Sequence, residues 1–317
     1  MISICLPVYN YDITDLTDEL LRQAKESNID IEILVFDDFS ISYYKKRNAA
    51  VSTLTNVSYL EFDQNLGRSK IRNRLADFAK GNWLLFMDCD VIPDSPQFLH
   101  NYNRAINEAD VICGGIGYGP KPLNDKLLLR WKYGVRRESK NASRRQMSPH
   151  ASFLSSNFMI KREVFHQIRF NEEISGYGHE DTLFGLDLKI NNIPVYHINN
   201  PCIHLGIEPC FEYLAKTEKG IINLVRLLRI VPHQKKNLRR NIKLLRYYSF
   251  FRSIGLAYPL RWVFRVFNPI IRRLLCSTKP SIFLFDLYKM GLMAQVFNKP
   301  NLTDGIHVDF FNYMVAE

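Results

Sequence analysis

Trp83-Leu84-Leu85-Phe86-Met87-Asp88-Cys89-Asp90 is the stretch on which the fold turns. Five large apolar residues in succession read as a buried strand, and the strand runs straight into two carboxylates one residue apart. In open α/β sheets ligands sit outside the carboxyl ends of the strands, so Asp88 and Asp90 stand where chemistry is expected. An acidic strand-end turn needs no ligand. The same pair can also address one divalent cation and the phosphates it holds, because Mg2+ and Mn2+ suit oxygen ligands.

Working outward, strand and helix signals alternate. Ile2–Val8 and Ile31–Phe36 read as strands, Val57–Glu61 as a third, and Asp110–Gly114 as a fifth after the stretch above. Helical spacing covers 15–28, 42–54, Ser69–Lys80 (ended by Gly81) and 96–108. This alternation predicts an α/β layer with a mostly parallel sheet. Two further strand ends, Pro7-Val8-Tyr9 and Asp37-Asp38, fall beside Asp88-Cys89-Asp90. Residues 120–150, rich in Lys, Arg, Ser and Pro, read as a mobile excursion. A second structured stretch holds a strand at Phe158–Lys161, a helix from Arg162, the loop Gly176-Tyr177-Gly178-His179-Glu180-Asp181 opening a helix to Asn191, and a strand at Val195–Ile198.

The chain has 317 residues, of which 46% are hydrophobic and 23% charged, enough for a sizeable core and against a disordered or fibrous chain. Its net charge of +10 is concentrated: no acidic residue lies between Glu218 and Asp286, while fifteen Lys and Arg do. The remaining 27 basic residues face 32 acidic ones, so a mildly acidic body precedes a basic segment. The composition shift places a boundary at 218. The six cysteines show no metal-finger spacing and read as reduced thiols of a cytosolic protein. Because Ile2–Val8 is already a strand, no signal peptide is expected, and no apolar run reaches the length of a spanning helix.

Three further features can carry chemistry. Glu180-Asp181 at a helix start is favoured by the helix dipole alone; it also suits a general base beside an aromatic, Tyr177. His204, between Ile203 and Leu205, is either a packed histidine or a ligand for an Mn2+-like ion. Arg68, Lys70, Arg72 and Arg74, after Asn65-Leu66-Gly67, are either a solvated helix face or partners for phosphate and base.

Together and in order, these pieces resemble the family 2 glycosyltransferases with the GT-A fold. The resemblance covers roughly residues 1–212. It rests on Leu6-Pro7-Val8-Tyr9-Asn10, Phe36-Asp37-Asp38-Phe39-Ser40, Asn65-Leu66-Gly67 with Arg72-Asn73, residues 79–90, Ser155-Ser156-Asn157-Phe158, residues 176–181 and His204. The glycine-aromatic loop, Cys89 and the later histidine look most like the chondroitin-polymerase and β-galactosyltransferase branch. The chain departs from it in Tyr177 where Trp is usual, in Ser155-Ser156 where glycines are frequent, in a single catalytic module and in its basic tail.

The resemblance implies a Rossmann-like GT-A catalytic domain, which the composition shift bounds at 1–218, and leaves 219–317 as a basic, aromatic-rich helical C-terminal region. It implies a UDP-sugar donor held by Pro7, Tyr9, Asp37, Asp38, Gly67, Arg68, Arg72 and Asp88. It also implies Mn2+ or Mg2+ on Asp90 and His204 with Asp88 beside them, Asp181 as general base, and Glu180 positioning the acceptor. Asn157, Tyr177, Gly178 and His179 would line the sugar and acceptor pocket. The implied reaction is inverting transfer to an acceptor hydroxyl, in bacterial surface polysaccharide or lipid-linked oligosaccharide synthesis.

The tail mixes Arg and Lys with Leu, Ile, Phe, Tyr and Trp. Such segments suit an anionic membrane surface, here over 219–285, which implies a cytoplasmic protein peripheral to the inner face of the membrane. They also suit packing on the catalytic domain or a phosphate-rich acceptor. Nucleic acid is disfavoured, because no helix-turn-helix or RNA-recognition signature is present. A nucleotidyltransferase would want a Gly-rich phosphate loop after the first strand, where Pro7-Val8-Tyr9-Asn10 stands. A non-catalytic glycan binder should lack Asp90 or Asp181.

Overall fold

The computed structural model describes residues 1–174 and 176–297. The strands and helices β1 (Ile2–Val8), α1 (Thr14–Ser27), β2 (Ile31–Asp37), α2 (Ser42–Asn48), β3 (Val57–Glu61), α3 (Arg68–Phe78) and β4 (Trp83–Met87) alternate. The helix read at 42–54 is α2 followed by a 3-10 turn over Ala49–Thr53. The four strands pair in parallel in the order β3-β2-β1-β4, so they all end at one edge.

Successive strand residues point to opposite faces, and here both faces are apolar. On β2, Ile33 and Val35 join one core with Leu16 and Leu20 of α1, while Leu34 and Phe36 join another with Ile71 and Leu75 of α3. Helices covering both sides explain why the strand sequences show no polar alternation.

The chain continues through β5 (Val91–Pro93), α4 (Phe98–Ala105), β6 (Val111–Cys113), β7 (Ile116–Tyr118), α5 (Leu128–Tyr133), α6 (Ala142–Gln146), β8 (Asn157–Lys161), α7 (Arg162–Ile168), α8 (Glu180–Ile190), β9 (Val195–His197) and β10 (Cys202–His204). β8 runs antiparallel between β4 and β6, and β9 closes the seven-stranded sheet parallel to β6. A second sheet, β5-β10-β7, sets His204 opposite Val91 and therefore beside Asp90.

Residues 120–150 are not a loose excursion. They contain α5 and α6, and two of their arginines, Arg130 and Arg145, are buried. The Arg145 guanidinium donates to the carbonyls of Cys113 (3.0 Å), Gly114 (2.9 Å), Ile198 (2.7 Å) and Lys140 (3.0 Å). Five N–H donors in one planar group can satisfy several crossing chains at once. A basic composition therefore misled: two of the arginines serve the interior.

The last helices are α9 (Cys210–Ile230), α10 (Lys235–Asn241), α11 (Lys243–Ser253), α12 (Ala257–Leu275) and α13 (Ile282–Val296). Residue 218 lies in the middle of α9, so the composition shift there marks no break in the chain's structure. Leu214, Leu224 and Leu228 of α9 share a core with Phe285 and Met293 of α13, with Leu183 and Leu186 of α8 and with Leu129 of α5. Buried Glu218 accepts hydrogen bonds from Arg272 (2.6 Å) and from the Tyr288 hydroxyl, tying α9 to α12 and α13. Cys210 and Cys276, 66 residues apart, form a disulfide, contrary to the expectation of six reduced thiols; Cys5, Cys89, Cys113 and Cys202 are free. Only the meeting of the start of α9 with the end of α12 brings that pair together. Residues 298–317 of the expected C-terminal extension lie outside the described residues. Among the described residues no helix is long and apolar enough to cross a membrane.

Candidate active site

The site is built at the edge where the parallel strands end. The Asp38 amide donates to the Val8 carbonyl at 2.7 Å, and Ile41 N–H donates to Asn10 Oδ1 at 2.9 Å, so the loops after β1 and β2 are knitted together. Asp37 is fully buried and accepts the Ser40 N–H at 2.7 Å. Asp38 accepts the N–H groups of Leu66 (2.5 Å) and Gly67 (3.0 Å), fixing the loop that opens α3. Both carboxylates expected to contact the nucleotide therefore also hold the loops that follow β2 and precede α3. Pro7 sits half-buried in β1, while Tyr9 is exposed just beyond it.

Arg72, on α3, is the hub. Its side chain is 2% exposed, and Nη2 meets Asp88 Oδ1 at 2.6 Å while Nη1 lies 3.7 Å from Glu180 Oε1. Its Nε has no hydrogen-bond partner among the described residues, and the guanidinium lies 5.5 Å from the Phe170 ring centroid. Arg68, one turn earlier, approaches Glu180 Oε1 at 3.3 Å and covers the Tyr177 ring at 4.6 Å. Burial would raise the Asp88 carboxyl's pKa, but Arg72 and Arg68 outweigh it and hold the value below the usual range. Two of the four cations read after Gly67 thus face the site.

Glu180 and Asp181 open α8. Glu180 is buried; Asp181 accepts the N–H of Thr182 at 2.6 Å and its hydroxyl at 3.2 Å. Burial, and then the neighbouring Glu180 charge, push the Asp181 carboxyl up to about 6. The preceding loop needs its glycines: Gly176 and Gly178 have φ of +97° and +85°, which side chains rarely adopt. Asn223 of α9 holds that loop, donating to the carbonyls of Gly178 (2.7 Å) and Tyr177 (3.4 Å). His179, the left-handed residue before α8, has its pKa lowered by burial.

Asp90 and His204 face each other, with Nε2 3.5 Å from Oδ2. Burial raises the Asp90 carboxyl's pKa; His204 opposes and Asp88 adds to the shift. His204 Nδ1 is buried without a hydrogen-bond partner among the described residues. A β-carbon on Gly206 would stand 2.5 Å from Asp90 Oδ2, so only glycine leaves this carboxylate in place. One oxygen and one imidazole nitrogen fit an Mn2+ or Mg2+ ion that completes its shell with substrate phosphate. Asp88, engaged by Arg72, is less suited to that ion. Among the described residues no group of three or more His, Cys, Asp or Glu surrounds a common point.

Asn157 does not belong to a sugar pocket. It is 1% exposed, donates to Gly115 (2.8 Å) and Asn200 (2.9 Å) carbonyls, and accepts from Tyr102 at 2.7 Å. An amide with so many protein partners serves the core. Conversely, sequence reading missed the wall beside Tyr177. Tyr118 stacks on His204 at 5.6 Å, its hydroxyl bonds Glu138, and Arg130 joins Glu138 (3.1 Å) to Glu208 (3.4 Å). Glu208 also bonds Lys216, whose Nζ lies 5.8 Å from the Tyr177 ring centroid. Glu208, four residues after His204, was the one signal available in the sequence.

A Rossmann-like sheet with acidic strand ends, an aspartate-histidine pair on a second small sheet and a carboxylate pair at a helix start define a GT-A glycosyltransferase. The chain belongs to glycosyl transferase family 2, whose family model matches residues 3–169. It is 33% identical over 124 residues to a poly(ribitol-phosphate) beta-glucosyltransferase of Bacillus spizizenii, a match spanning 36% of this chain and 18% of that protein. It is 26% identical over 156 residues to an uncharacterized glycosyltransferase of Haemophilus influenzae, spanning 42% of this chain and half of that one. These matches thus cover half or less of the curated relatives' lengths. Among solved structures, S. aureus TarS 1–349 in complex with UDP-GlcNAc aligns over 93% of this chain and 89% of its own, with a TM-score of 0.52 and 17% identity. The mannosyltransferase PcManGT of Pyrobaculum calidifontis, in complex with GDP-Man and Mn2+, aligns over 94% and 88%, with a TM-score of 0.54 and 12% identity.

Proposed function

We propose that this glycosyltransferase moves a sugar from a UDP-sugar to an acceptor hydroxyl by a single displacement that inverts the anomeric carbon. The observation that carries the reading is Arg72: one buried guanidinium contacts Asp88 at a strand end and lies near Glu180 at the start of α8. The carboxylate assigned to the donor and the one assigned to the acceptor therefore share one site. The names of the neighbours, one bound to UDP-GlcNAc, support a nucleotide-sugar donor.

Asp181 takes the proton of the acceptor hydroxyl as its oxygen bonds to the anomeric carbon and the bond from that carbon to the diphosphate breaks. General-base help of this kind contributes about 10²–10⁴-fold. Glu180, held by Arg68 and Arg72, orients the acceptor, and Tyr177, Gly178 and His179 border its pocket. Asp90 and His204 would hold the Mn2+ or Mg2+, which when bound supplies positive charge against the leaving diphosphate. The acceptor is a glycan or lipid-linked glycan of a bacterial surface polymer, and the enzyme works in the cytoplasm at the inner face of the membrane.

The test is thermal stability against a panel of nucleotide sugars with and without Mn2+. A ligand at 100 times its dissociation constant stabilises by about 2.7 kcal/mol. A Mn2+-dependent shift with one UDP-sugar is expected, and Asp181→Asn should retain that shift while losing transfer. A loss of donor affinity as large as the loss of rate would overturn the role of Asp181.

A further inference from the structure

We infer that the outward stripe of α12 is a docking surface for an anionic lipid leaflet. The basic segment does not behave as a unit. α9 and α13 turn their apolar residues into the shared core. α12 buries only Ala257, Phe264 and Leu275, with Leu260 and Ile271 partly buried against the same core. These fall at spacings of three, four and seven residues, one narrow face of a 19-residue helix.

The opposite face also carries large apolar residues, and these are exposed. Trp262 (63% exposed), Val266 (51%) and Ile270 (56%) succeed one another at four-residue intervals, flanked by Val263, Phe267 and Leu274, all exposed. Single exposed apolar residues are ordinary; a continuous stripe of them marks an interaction surface. Charge selects the occupant. Arg261, Arg265 and Arg273 are exposed on the same helix, α12 contains no Asp or Glu, and none occurs anywhere from 219 to 285. A second copy of the chain would bring these same cations against themselves. An anionic leaflet accepts both halves of the pattern: Trp and Phe enter the headgroup boundary while arginines reach lipid phosphates. None of the candidate active-site residues lies on α12, and the inference does not depend on the transfer reading.

The experiment is sedimentation of the full chain with phosphatidylcholine vesicles containing phosphatidylglycerol, and with pure phosphatidylcholine vesicles. Two paired variants are compared, W262Q/I270Q and R261Q/R265Q; all four side chains are exposed, so the melting temperature should match that of the parent. The parent should bind the anionic vesicles and not the neutral ones. W262Q/I270Q should lose binding at least about tenfold, and R261Q/R265Q about 25-fold at low salt, near fivefold per cation. Absence of binding by the parent, equal binding to both vesicle types, or undiminished binding by W262Q/I270Q would overturn the inference. So would a dimer of the parent that dissociates in W262Q/I270Q without any vesicle binding, because the stripe would then be an interface between copies.

Discussion

At the scale of single residues, the site is governed by which charges are partnered. Asp88 and Glu180 share the arginines of α3, and this holds Asp88 ionised despite its burial. Burial and the Glu180 charge outweigh the Thr182 hydrogen bonds and the Arg72 charge at Asp181, and its carboxyl rises to about 6. A general base must be unprotonated to act, so transfer should be full well above pH 6 and fall tenfold per unit below it. The profile of kcat/KM against pH checks this; a flat profile from pH 5 to 8 contradicts the assignment. The residue types at 88, 90 and 204 were legible in the sequence because they stand beside apolar residues, and those at 180 and 181 because they follow a glycine loop at a helix start. Asn157 entered the expected pocket through the family resemblance alone, whereas the fold closes Tyr102, Gly115 and Asn200 around it.

At the scale of elements, positions matter more than identities. The Gly176–Gly178 loop carries the carboxylate pair, yet it is held from α9, more than 40 residues on, by Asn223. Asn223→Ala should cost about 1 kcal/mol of stability and lower kcat while leaving donor KM near its parent value. Melting curves and donor-saturation kinetics separate the two effects. Residues 120–150 teach the converse. Their arginines look solvated in the sequence, but Arg145 anchors the chain at Cys113, Gly114 and Ile198, and Arg130 joins Glu138 to Glu208. No local pattern distinguishes an arginine that faces water from one that satisfies distant carbonyls.

At the scale of the whole molecule, the basic segment is two things. One part completes the core through α9 and α13, clamped by Glu218 and by the Cys210–Cys276 disulfide; the other turns an apolar helix face outward. A chain ending at residue 218 would cut α9 in half and expose Leu129, Leu183 and Leu186. It should aggregate or lack cooperative melting, as followed by circular dichroism and sedimentation. A soluble truncation with a sharp transition would show that residues 1–218 fold alone.

The sequence by itself determined the α/β alternation, the strand ends where chemistry gathers and the family, because buried strands and acidic tips are local signals. Tertiary structure alone decided that Arg72 bridges two carboxylate sites, that Asp37, Asp38 and Asn157 serve the framework, and that Cys210 meets Cys276. It also decided which face of α12 points outward. Those outcomes depend on contacts between residues far apart in the chain, and neither composition nor spacing encodes which distant group a buried charge or an apolar stripe will meet.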